Sequence, residues 1–592
     1  MKAVMQVAGS GSRFKPYSFT NAKIMTKFLG KPLLFYHIDE IVAQGIKEII
    51  LICNKENISQ IRKEVKKAFK KLKFYFVLQD VQLGPSHAIY CAKDLLKEEF
   101  FLFKYADSVH AKDLLIELFK KFDEKSDGII TLRKVKDPKR YGIARLEGEK
   151  VVEIIEKPDN APSDLGLVGL GILKTDKFIQ GIEKDTLFKG KKEVAPPEYV
   201  LRDNGKLDYW VYAGERTDLG KPWDILLTTK LLIKRFGSGK NSRKIARSAK
   251  IGKNCFIGKK AIIEKNVTIK NYASVEGTVK EGSVIDGSVI MEGSVIGKNS
   301  RIVSSVIGTK NTIGDKVIVK AGKTKVFIKD HYEDAPIKVG VFTGDQVSIL
   351  DNVKCEAGRV VYPNKNVKDM LNKDYLIRVV IFDADNTLYN TRSVAKQADL
   401  AAMRFFKKDN KKAEELYGVW KEEIVKNLMV ESEPHKRHRR FSYQLLAEKY
   451  KLNDVDGAFT TFLASLLKHI TLFPQVELVL KSLKQFSLGI VSEDPSDVLI
   501  PKIKKMGIAK YFQLILTSDS VGKMKPCKEY IDIAFDALGV SAHECIFIGD
   551  SYEKDLSIPK SLGATIILLG EKGKADYTIQ NFGELKKIME DF

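Results

Sequence analysis

Apolar runs alternate with amphipathic stretches along the first 235 residues of the chain. Short apolar segments at 47–53 (KEIILIC), 74–79 (FYFVLQ) and 100–107 (FFLFKYAD) are typical of buried strands, and amphipathic stretches lie between them. This alternation predicts an α/β Rossmann-like domain over residues 1–237, with a parallel sheet and helices on both faces. A polar, glycine-containing link at 236–244 marks its end.

Aliphatic residues then recur every six positions. This period is typical of a left-handed parallel β-helix built from hexapeptide repeats, because each short strand buries one aliphatic side chain and small residues allow tight corners. It predicts such a helix over residues 245–364, with an interruption at 325–337. The repeat comprises Ile245, Ile251, Ile257, Ile263, Ile269 and Val275, then Val284, Ile290, Ile296 and Ile302, then Ile307, Ile313 and Val319.

Strand and helix patterns return after a lysine-rich link at 364–374. The stretch from about 393 to 472 lacks strong strand signals and predicts helices. The pattern therefore predicts a second α/β Rossmann-like domain over residues 376–592, with a helical cap at about 393–472. The apolar runs that predict its strands lie at 376–389, 488–494, 512–519, 544–550 and 564–570.

Composition narrows the possible functions. The 592 residues include six widely spaced cysteines without a CxxC pair, which argues against a zinc site or disulfide framework and favours a reducing, cytoplasmic location. No run approaches the roughly 20 apolar residues of a membrane span, and the start of the chain predicts a strand rather than a signal peptide. The formal charge of +24 indicates anionic ligands. Phosphorylated small molecules are expected rather than nucleic acid, because the lysines are dispersed and no nucleic-acid-binding motif is present.

A glycine-rich turn follows the first strand in VAGSGSRFKP. Ala8, Gly9 and Gly11 are small enough for backbone N–H groups to approach a triphosphate, and Arg13 adds a charged donor. Alone, such a turn is also an ordinary strand-to-helix connection. The longer segment AGSGSRFKPYSFTNAKIMTKFLGKP resembles the opening signature of sugar-1-phosphate nucleotidyltransferases, and further segments follow in that family's order over about 220 residues.

This resemblance implies a charged reaction centre. Arg13 and Lys23 would neutralise a nucleoside triphosphate, while Asp107 in FKYAD and Asp218 in TDLGKPWD would bind Mg²⁺, which favours oxygen ligands. The oxygen of a sugar 1-phosphate would attack the α-phosphorus in line, and pyrophosphate would leave.

The resemblance also implies two substrate-contacting segments. Gln79 and Gly84 in QDVQLGPSHA would lie at the nucleobase and favour a pyrimidine triphosphate, UTP or dTTP, although the same positions can serve other bases. The sugar-phosphate side would be formed by Gly142, Glu156, Lys157 and Gly169.

The chain departs from the family pattern at four positions. Ser10, Ala22 and Lys27 stand where a glycine and two prolines are common, and Arg216 stands where an aromatic residue often precedes the second aspartate. The charged residues are retained, which predicts an active enzyme. The alternative is a non-catalytic domain that binds nucleotide sugars or serves in assembly.

Left-handed β-helices occur behind many such nucleotidyltransferases. The resemblance implies a scaffold for a homo-oligomer. Some of these β-helices are acetyltransferases with a catalytic histidine, and this alternative stays open. His331, which lies in the interruption, is the histidine nearest to the regular coils.

Four short motifs follow in the last domain. Two carboxylates two residues apart at the end of an apolar strand could both reach one phosphate, although a polar turn would look similar. Together the motifs resemble those of the haloacid dehalogenase superfamily over about 376–592. They comprise Asp383, Asp385 and Thr387 in IFDADNTLY, Ser492 in LGIVS, Lys525 in GKMKP, and Asp550 and Asp555 in FIGDSYEKD.

The second resemblance implies phosphomonoester hydrolysis through an aspartyl-phosphate. Asp383 would attack phosphorus, and Asp385 would protonate the leaving oxygen and then deprotonate water. Ser492 and Lys525 would hold the phosphoryl oxygens. The ligands of Mg²⁺ would come from Asp383, Asp385, Asp550 and Asp555.

The fusion suggests consecutive steps on one metabolite. The phosphatase would remove the distal phosphate of a sugar bisphosphate, and the nucleotidyltransferase would activate the resulting sugar 1-phosphate. Two alternatives remain: a phosphatase that serves an unrelated step, and a chain in which the phosphatase alone is active.

Overall fold

The structure is a computed structural model that describes residues 1–81, 83–185, 194–329, 331–429, 431, 433–570, 574–589 and 592. The chain forms two compact units, Met1–Asp374 and Tyr375–Phe592. In the described ranges, no helix is both long and apolar enough to cross a membrane.

A mixed nine-stranded sheet is the centre of the first domain. Four neighbouring strands pair in parallel, as the sequence predicts, and the others add mainly antiparallel pairs. The predicted parallel pairing is found in these four strands, whereas the sheet as a whole is mixed, because a short turn such as 148–149 can join two antiparallel strands without a crossover helix. The parallel strands are Lys73–Leu78, Glu48–Cys53, Lys2–Gln6 and Phe100–Tyr105, and the others are Leu165–Lys174, Gly142–Glu147, Lys150–Glu156, Gly128–Lys134 and Asp208–Val211.

Helices and small strand pairs surround this sheet. The most important pair joins Ser108–His110 to Arg216–Asp218 in antiparallel register, with Asp218 opposite Ser108. The helices are Leu33–Ala43, Ile58–Ala68, Pro85–Tyr90, Leu114–Lys121, Thr175–Glu183, Pro196–Arg202 and Asp224–Phe236.

The hexapeptide region forms three parallel sheets, consistent with the expected left-handed β-helix. Equivalent aliphatic residues of successive coils stack in one column, as in Ile257, Val275, Ile290 and Ile307, all of which are buried. The sheets begin at Gly239–Lys240 and end at Asn366–Val367. An antiparallel hairpin, Lys325–Ile328 with His331–Asp334, accounts for the interruption of the period.

The strands of the three sheets are as follows. The first contains Gly239–Lys240, Phe256–Ile257, Ser274–Val275, Val289–Ile290, Val306–Ile307, Phe342–Thr343 and Val360–Val361. The second contains Lys244–Ile245, Ile262–Ile263, Thr278–Val279, Val295–Ile296, Thr312–Ile313, Ser348–Ile349 and Asn366–Val367. The third contains Lys250–Ile251, Thr268–Lys270, Val284–Asp286, Arg301–Val303, Ile318–Val319 and Lys354–Cys355.

The β-helix contacts the signature loop of the first domain. The hydroxyl of Tyr17 donates to the carbonyl of Val306 at 3.0 Å, and the hydroxyl of Thr20 donates to Asp345 at 2.5 Å. The β-helix therefore holds the loop that leads to Lys23, a role that the hexapeptide pattern does not reveal.

The second unit contains a six-stranded sheet in which every neighbouring pair is parallel. Its strands lie, in spatial order, at Leu514–Leu516, Ser487–Val491, Val379–Phe382, Cys545–Gly549, Thr565–Leu569 and Tyr577–Ile579. The helices outside the cap are Val476–Ser482, Ser496–Lys505, Ser518–Val521, Lys528–Leu538, Ser557–Ser561 and Phe582–Met589.

Helices also form the cap that the sequence places at about 393–472. Trp420 and Tyr443 from the cap belong to the same buried apolar cluster as Phe382 and Ile490 from the sheet, so the cap and the sheet share one core. The cap consists of Thr391–Phe406, Asn410–Val419, Trp420–Val425 in a π-helical turn, Lys426–Leu428, Pro434–Arg437, Arg439–Tyr450 and Val455–His469.

Candidate active sites

The first candidate site is a cavity of about 390 Å³ at the carboxyl ends of the parallel strands of the first domain. Gly9 follows the strand Lys2–Gln6, and Asp107 follows Phe100–Tyr105, so neighbouring strands deliver both residues to one edge of the sheet. Seven of the residues expected from the sequence line this cavity: Gly9, Lys23, Asp107, Gly142, Glu156, Lys157 and Asp218.

Asp107 is paired with the signature lysine. Nζ of Lys23 donates to Oδ2 of Asp107 at 2.7 Å. Desolvation in the cavity would raise the pKa of Asp107, but Lys23 and Arg216 outweigh it and hold that pKa below its ordinary value. Asp107 is thus kept ionised, the form in which a carboxylate binds metal.

Asp218 is paired with Arg216. Nε and one terminal nitrogen of Arg216 lie 2.9 and 2.6 Å from Oδ1 of Asp218, and that terminal nitrogen also donates to Oγ of Ser108 at 2.9 Å. Oγ of Ser108 in turn donates to the same Oδ1 at 2.7 Å. Asp107 and Asp218 offer carboxylate oxygens of the kind that Mg²⁺ prefers, so the donor set fits this ion, although each carboxylate already has a basic partner.

Gly142, Glu156 and Lys157, for which the resemblance implies contact with the sugar phosphate, also line this cavity. Nζ of Lys157 is 3.6 Å from Oε1 of Glu156. Gly169 does not line the cavity but supports it, because its φ is +80° and a Cβ at this position would lie 2.3 Å from the ring of Tyr105, which does line the cavity.

Five other expected residues lie outside the cavity lining. Ala8 and Gly11 flank the turn that contains Gly9, and Arg13 is exposed on the short 3₁₀ turn Ser12–Phe14. Gln79 donates from Nε2 to the carbonyl of Gly84 at 3.2 Å and contacts Nδ1 of His87 at 3.1 Å. The structure therefore brings Gln79 and Gly84 together as a pair beside the site.

The second candidate site lies at the carboxyl edge of the six-stranded sheet. Asp383, Ser492 and Asp550 directly follow the strands that end at Phe382, Val491 and Gly549, and these strands are neighbours. Because parallel strands end at the same edge, three motifs spread along the chain from Asp383 to Asp550 converge there.

A carboxylate cluster with one lysine forms the centre of this site. Nζ of Lys525 donates to Asp383 at 2.6 Å, to Asp555 at 2.7 Å and to the carbonyl of Val491 at 2.9 Å. Ligand oxygens of Asp383, Asp550 and Asp555 lie within 4.8 Å of one another. Among the described residues, no other group of three or more histidine, cysteine, aspartate or glutamate side chains meets this criterion.

The electrostatics of the cluster fit a divalent cation. Burial raises the pKa of Asp383 to about 7 against the attraction of Lys525, and Asp555 adds to the rise. Burial and Asp555 likewise raise the pKa of Asp550. Three carboxylates lie beside Lys525 and the exposed Arg392, whose guanidinium is 3.8 Å from Asp550, so negative charge remains that Mg²⁺ would offset, and the residues present fit this ion.

Asp385 stands apart from the cluster and is held by residues that the sequence motifs do not include. Nζ of Lys502 donates to Asp385 at 2.8 Å and to Asp494 at 2.5 Å, and the hydroxyl of Thr391 donates to Asp385 at 2.5 Å. Burial alone would raise the pKa of Asp385, but Lys502 and Thr391 hold it below its ordinary value. Asp385 is not part of the three-carboxylate cluster.

A cavity of about 310 Å³ adjoins Asp385 between the cap and the sheet domain. Arg437 from the cap and Glu493 from the sheet domain line it and lie 3.4 Å apart, and Lys554 lies 3.9 Å from Glu493. Ser492, the neighbour of Glu493, is buried, and its Oγ accepts a hydrogen bond from the backbone N–H of Asp494 at 3.1 Å.

His331, the histidine near the β-helix, lies exposed in the hairpin, 3.5 Å from Glu333. Glu333 also forms an ion pair with Lys221, which lies shortly after the strand Arg216–Asp218.

Three family profiles match successive parts of the chain. The nucleotidyl transferase family matches residues 2–226, the GMPPB C-terminal domain family matches 240–377, and the haloacid dehalogenase-like hydrolase family matches 380–569. The sequence motifs and the profiles therefore agree on the nature of both α/β domains.

Curated relatives match the first part of the chain. Low-salt glycan biosynthesis nucleotidyltransferase Agl11 of Haloferax volcanii is 29% identical over 238 residues, which cover 40% of this chain and 66% of that protein. Glucose-1-phosphate thymidylyltransferase of Streptomyces antibioticus is 30% identical over 241 residues, covering 40% and 67%. Bifunctional protein GlmU of Methanocaldococcus jannaschii is 31% identical over 242 residues, covering 40% and 56%.

The matched region thus spans between 56% and 67% of the length of these three relatives. The relatives share the nucleotidyltransferase part, while the hydrolase part is identified by its own profile and by the cluster around Asp383. The chain belongs to the nucleotidyl transferase family through residues 2–226, and its residues 380–569 match the haloacid dehalogenase-like hydrolase family profile.

Proposed function

We propose that this chain is a bifunctional enzyme that transfers a nucleotidyl group to a sugar 1-phosphate and also hydrolyses a phosphomonoester. The observation that carries the first activity is the convergence of Lys23, Asp107, Lys157 and Asp218 on one cavity. Two basic side chains for phosphate and two carboxylates for a metal are what the joining of two phosphorylated substrates requires.

In the first reaction, an oxygen of the sugar 1-phosphate forms a bond to the α-phosphorus, and the bond to pyrophosphate breaks. Lys23 holds triphosphate oxygens, Lys157 holds the sugar phosphate, and the turn at Gly9 lets the backbone approach the triphosphate. Mg²⁺, bound by Asp107 and Asp218, would neutralise charge on the phosphates. We infer a pyrimidine triphosphate from Gln79 and Gly84, and the thymidylyltransferase among the relatives supports dTTP as one choice.

The second activity rests on the cluster of Asp383, Asp550, Asp555 and Lys525. A carboxylate oxygen of Asp383 bonds to phosphorus while Asp385 gives a proton to the leaving oxygen; water then attacks the aspartyl-phosphate as Asp385 takes its proton. Lys525 and Mg²⁺ would offset the phosphoryl charge. The lowered pKa keeps Asp385 ionised in the free enzyme, which is the form that accepts a proton from water in the second step. The proton donated in the first step is taken up when the anionic substrate binds, because a nearby negative charge raises the pKa of Asp385.

The two sites give a matched experiment in which each variant controls for the other. Purified enzyme with Mg²⁺ is incubated with nucleoside triphosphates and a panel of sugar 1-phosphates and sugar bisphosphates, and pyrophosphate and phosphate are measured separately. Asp107→Asn should abolish pyrophosphate and spare phosphate, and Asp383→Asn should do the reverse. Pyrophosphate at the wild-type rate from Asp107→Asn would refute the first proposal, and phosphate from Asp383→Asn would refute the second.

We also propose that the two reactions are consecutive on a sugar bisphosphate. The panel tests this proposal directly, because phosphate should appear before pyrophosphate when a bisphosphate is the sole sugar substrate. A phosphatase that ignores all sugar bisphosphates would contradict it.

We propose a homo-oligomer assembled through the β-helix, which light scattering of the full chain would test. The unpaired spacing of the six cysteines supports a cytoplasmic location as a further part of the proposal.

A further inference from the structure

The guanidinium of Arg216 places a positive charge beside Asp218, one of the two carboxylates expected to bind metal. Its side chain is only 7% exposed, and two of its nitrogens contact Oδ1 of Asp218. Oγ of Ser108 donates to the same oxygen, so Oδ1 has three donors at 2.6 to 2.9 Å. This oxygen is therefore already satisfied before any ion arrives.

The local sequence dictates this arrangement. Arg216 and Asp218 are two residues apart on one strand, so their side chains project from the same face. The strand pairs with Ser108–His110, and Ser108 lies opposite Asp218 and next to Asp107. The guanidinium is thus anchored beside both carboxylates, at a position where the resembling family often has an uncharged aromatic residue.

We propose that Arg216 is a built-in cation that competes with a divalent metal ion at Asp218 and makes this site bind free metal weakly. The inference deepens the proposed nucleotidyl transfer and rests on it for the role of the metal. Two positive charges repel at short range, and Oδ1 of Asp218, which accepts from Arg216 and Ser108, would be a poor ligand for an added ion.

Weak binding of free metal at Asp218 would make the nucleoside triphosphate the carrier of the ion. A site that binds free ions weakly is filled when the nucleoside triphosphate brings its own ion, because the phosphate oxygens then supply ligands that Asp218 withholds. Without the triphosphate, the positive charge beside Asp218 comes from Arg216.

Metal binding without turnover tests the proposal. Free Mn²⁺ is titrated by electron paramagnetic resonance into the full chain carrying Asp550→Asn, which removes a ligand of the phosphatase cluster. We expect Arg216→Met and Arg216→Trp to bind Mn²⁺ on the order of tenfold or more tightly than the parent, because the repulsion is gone and Oδ1 of Asp218 keeps only the hydrogen bond from Ser108. Arg216→Lys, which keeps the charge, should stay near the parent.

Two controls locate the effect. Arg145→Met removes one positive charge from a surface ion pair with Glu147 and Glu153 in the same domain and should leave the Mn²⁺ affinity unchanged. Adding Asp107→Asn to Arg216→Met should cancel the gain. Circular dichroism of each variant verifies the fold, and Arg216→Trp restores the residue type common at this position if Arg216→Met unfolds.

Unchanged or weaker Mn²⁺ binding in both uncharged variants would overturn the proposal, as would a gain that persists without Asp107. Pyrophosphate release by the unmodified chain is measured separately. Its absence with every substrate pair would sink nucleotidyl transfer without altering the Mn²⁺ result, so the two failures are distinguishable.

Discussion

Replacing Lys502 by methionine tests how the second unit controls the ionisation of Asp385, on which the proposed phosphatase activity depends. Lys502 is 1% exposed and contacts Asp385 at 2.8 Å, whereas Asp385 is 29% exposed. Opposite charges at 2.8 Å attract by about 6 kcal/mol at an effective dielectric constant of about 20, which sets a ceiling of about 4 pKa units. Because burial opposes this attraction and solvent screens it, we expect the pKa of Asp385 to rise by about 1 to 3 units.

The assay is the pH–rate profile of phosphate release. Asp385 has a lowered pKa in the native protein, so its ionised form persists to low pH, and removing Lys502 shifts ionisation to higher pH. The limb that reports Asp385 should therefore move upward by about 1 to 3 pH units. Lys504→Met is the matched control, because Lys504 is exposed on the same helix, and Lys502→Arg should restore the limb.

Methionine at this position also leaves Asp494 without its lysine partner. The double variant Lys502→Met with Asp494→Asn also removes the negative charge of Asp494, so that no unpaired charge at this position destabilises the fold. If both variants fold but their limb stays at the wild-type pH, Lys502 does not set the ionisation of Asp385 and the electrostatic reasoning is refuted.

Glu40→Gln should lower the free energy of unfolding of the first unit by about 3 to 5 kcal/mol, because it leaves the buried Lys104 and Arg235 without their carboxylate; calorimetry of the full chain measures this. Burial would raise the pKa of Glu40, but Lys104, His37 and Arg235 hold this pKa well below 4.5. The contribution of Glu40 to the free energy of unfolding is therefore fully present above pH 4.5 and is lost as the pH falls through the lower pKa of the folded state. Gly169→Ala should push the ring of Tyr105 into the cavity and raise the KM for sugar phosphate on the order of ten- to a hundredfold in steady-state assays. Chelation of divalent metal by EDTA should stop both pyrophosphate and phosphate release, and added Mg²⁺ should restore them.

Matched variants separate these effects from general perturbation. Glu117→Gln changes an exposed carboxylate paired with Lys120 and should leave the unfolding transition in place. Gly148→Ala imposes a comparable backbone conformation, since φ of Gly148 is +60°, but its Cβ would meet nothing within 4 Å. An equal KM for Gly148→Ala and Gly169→Ala would contradict the steric argument, and activity that survives EDTA would contradict the metal requirement.

The β-helix shows how much a local pattern can determine. Ile257, Val275 and Ile290 recur at intervals that place one aliphatic side chain inside each strand, and the structure stacks them in one column. The six-residue period of aliphatic side chains can be read from the sequence alone, so the repeat predicted the β-helix. It could not predict that Tyr17 and Thr20 of a distant loop would dock on the coils, because that contact depends on the surface that the coils create.

At the two candidate active sites, too, the sequence predicted some residues and the tertiary structure added others. The resemblance to family motifs predicted Asp107, Asp218, Asp383 and Asp550 as site residues, because those motifs are short segments that can be read directly from the sequence. They did not identify Lys502, which reaches Asp385 from a helix 117 residues away. Arg216 was visible as a departure from the family pattern, and its position two residues from Asp218 on a strand was the available signal.

The sequence by itself determined the three kinds of architecture and most of the charged residues, since periodicity and strand-end motifs are local properties. The tertiary structure decided which charges are neighbours. Electrostatic energy depends on distances of a few ångströms and on burial, and these follow only when separate strands meet at one sheet edge. For that reason the partners of Asp218 and Asp385, which govern metal affinity and proton transfer in our proposals, emerged from the fold.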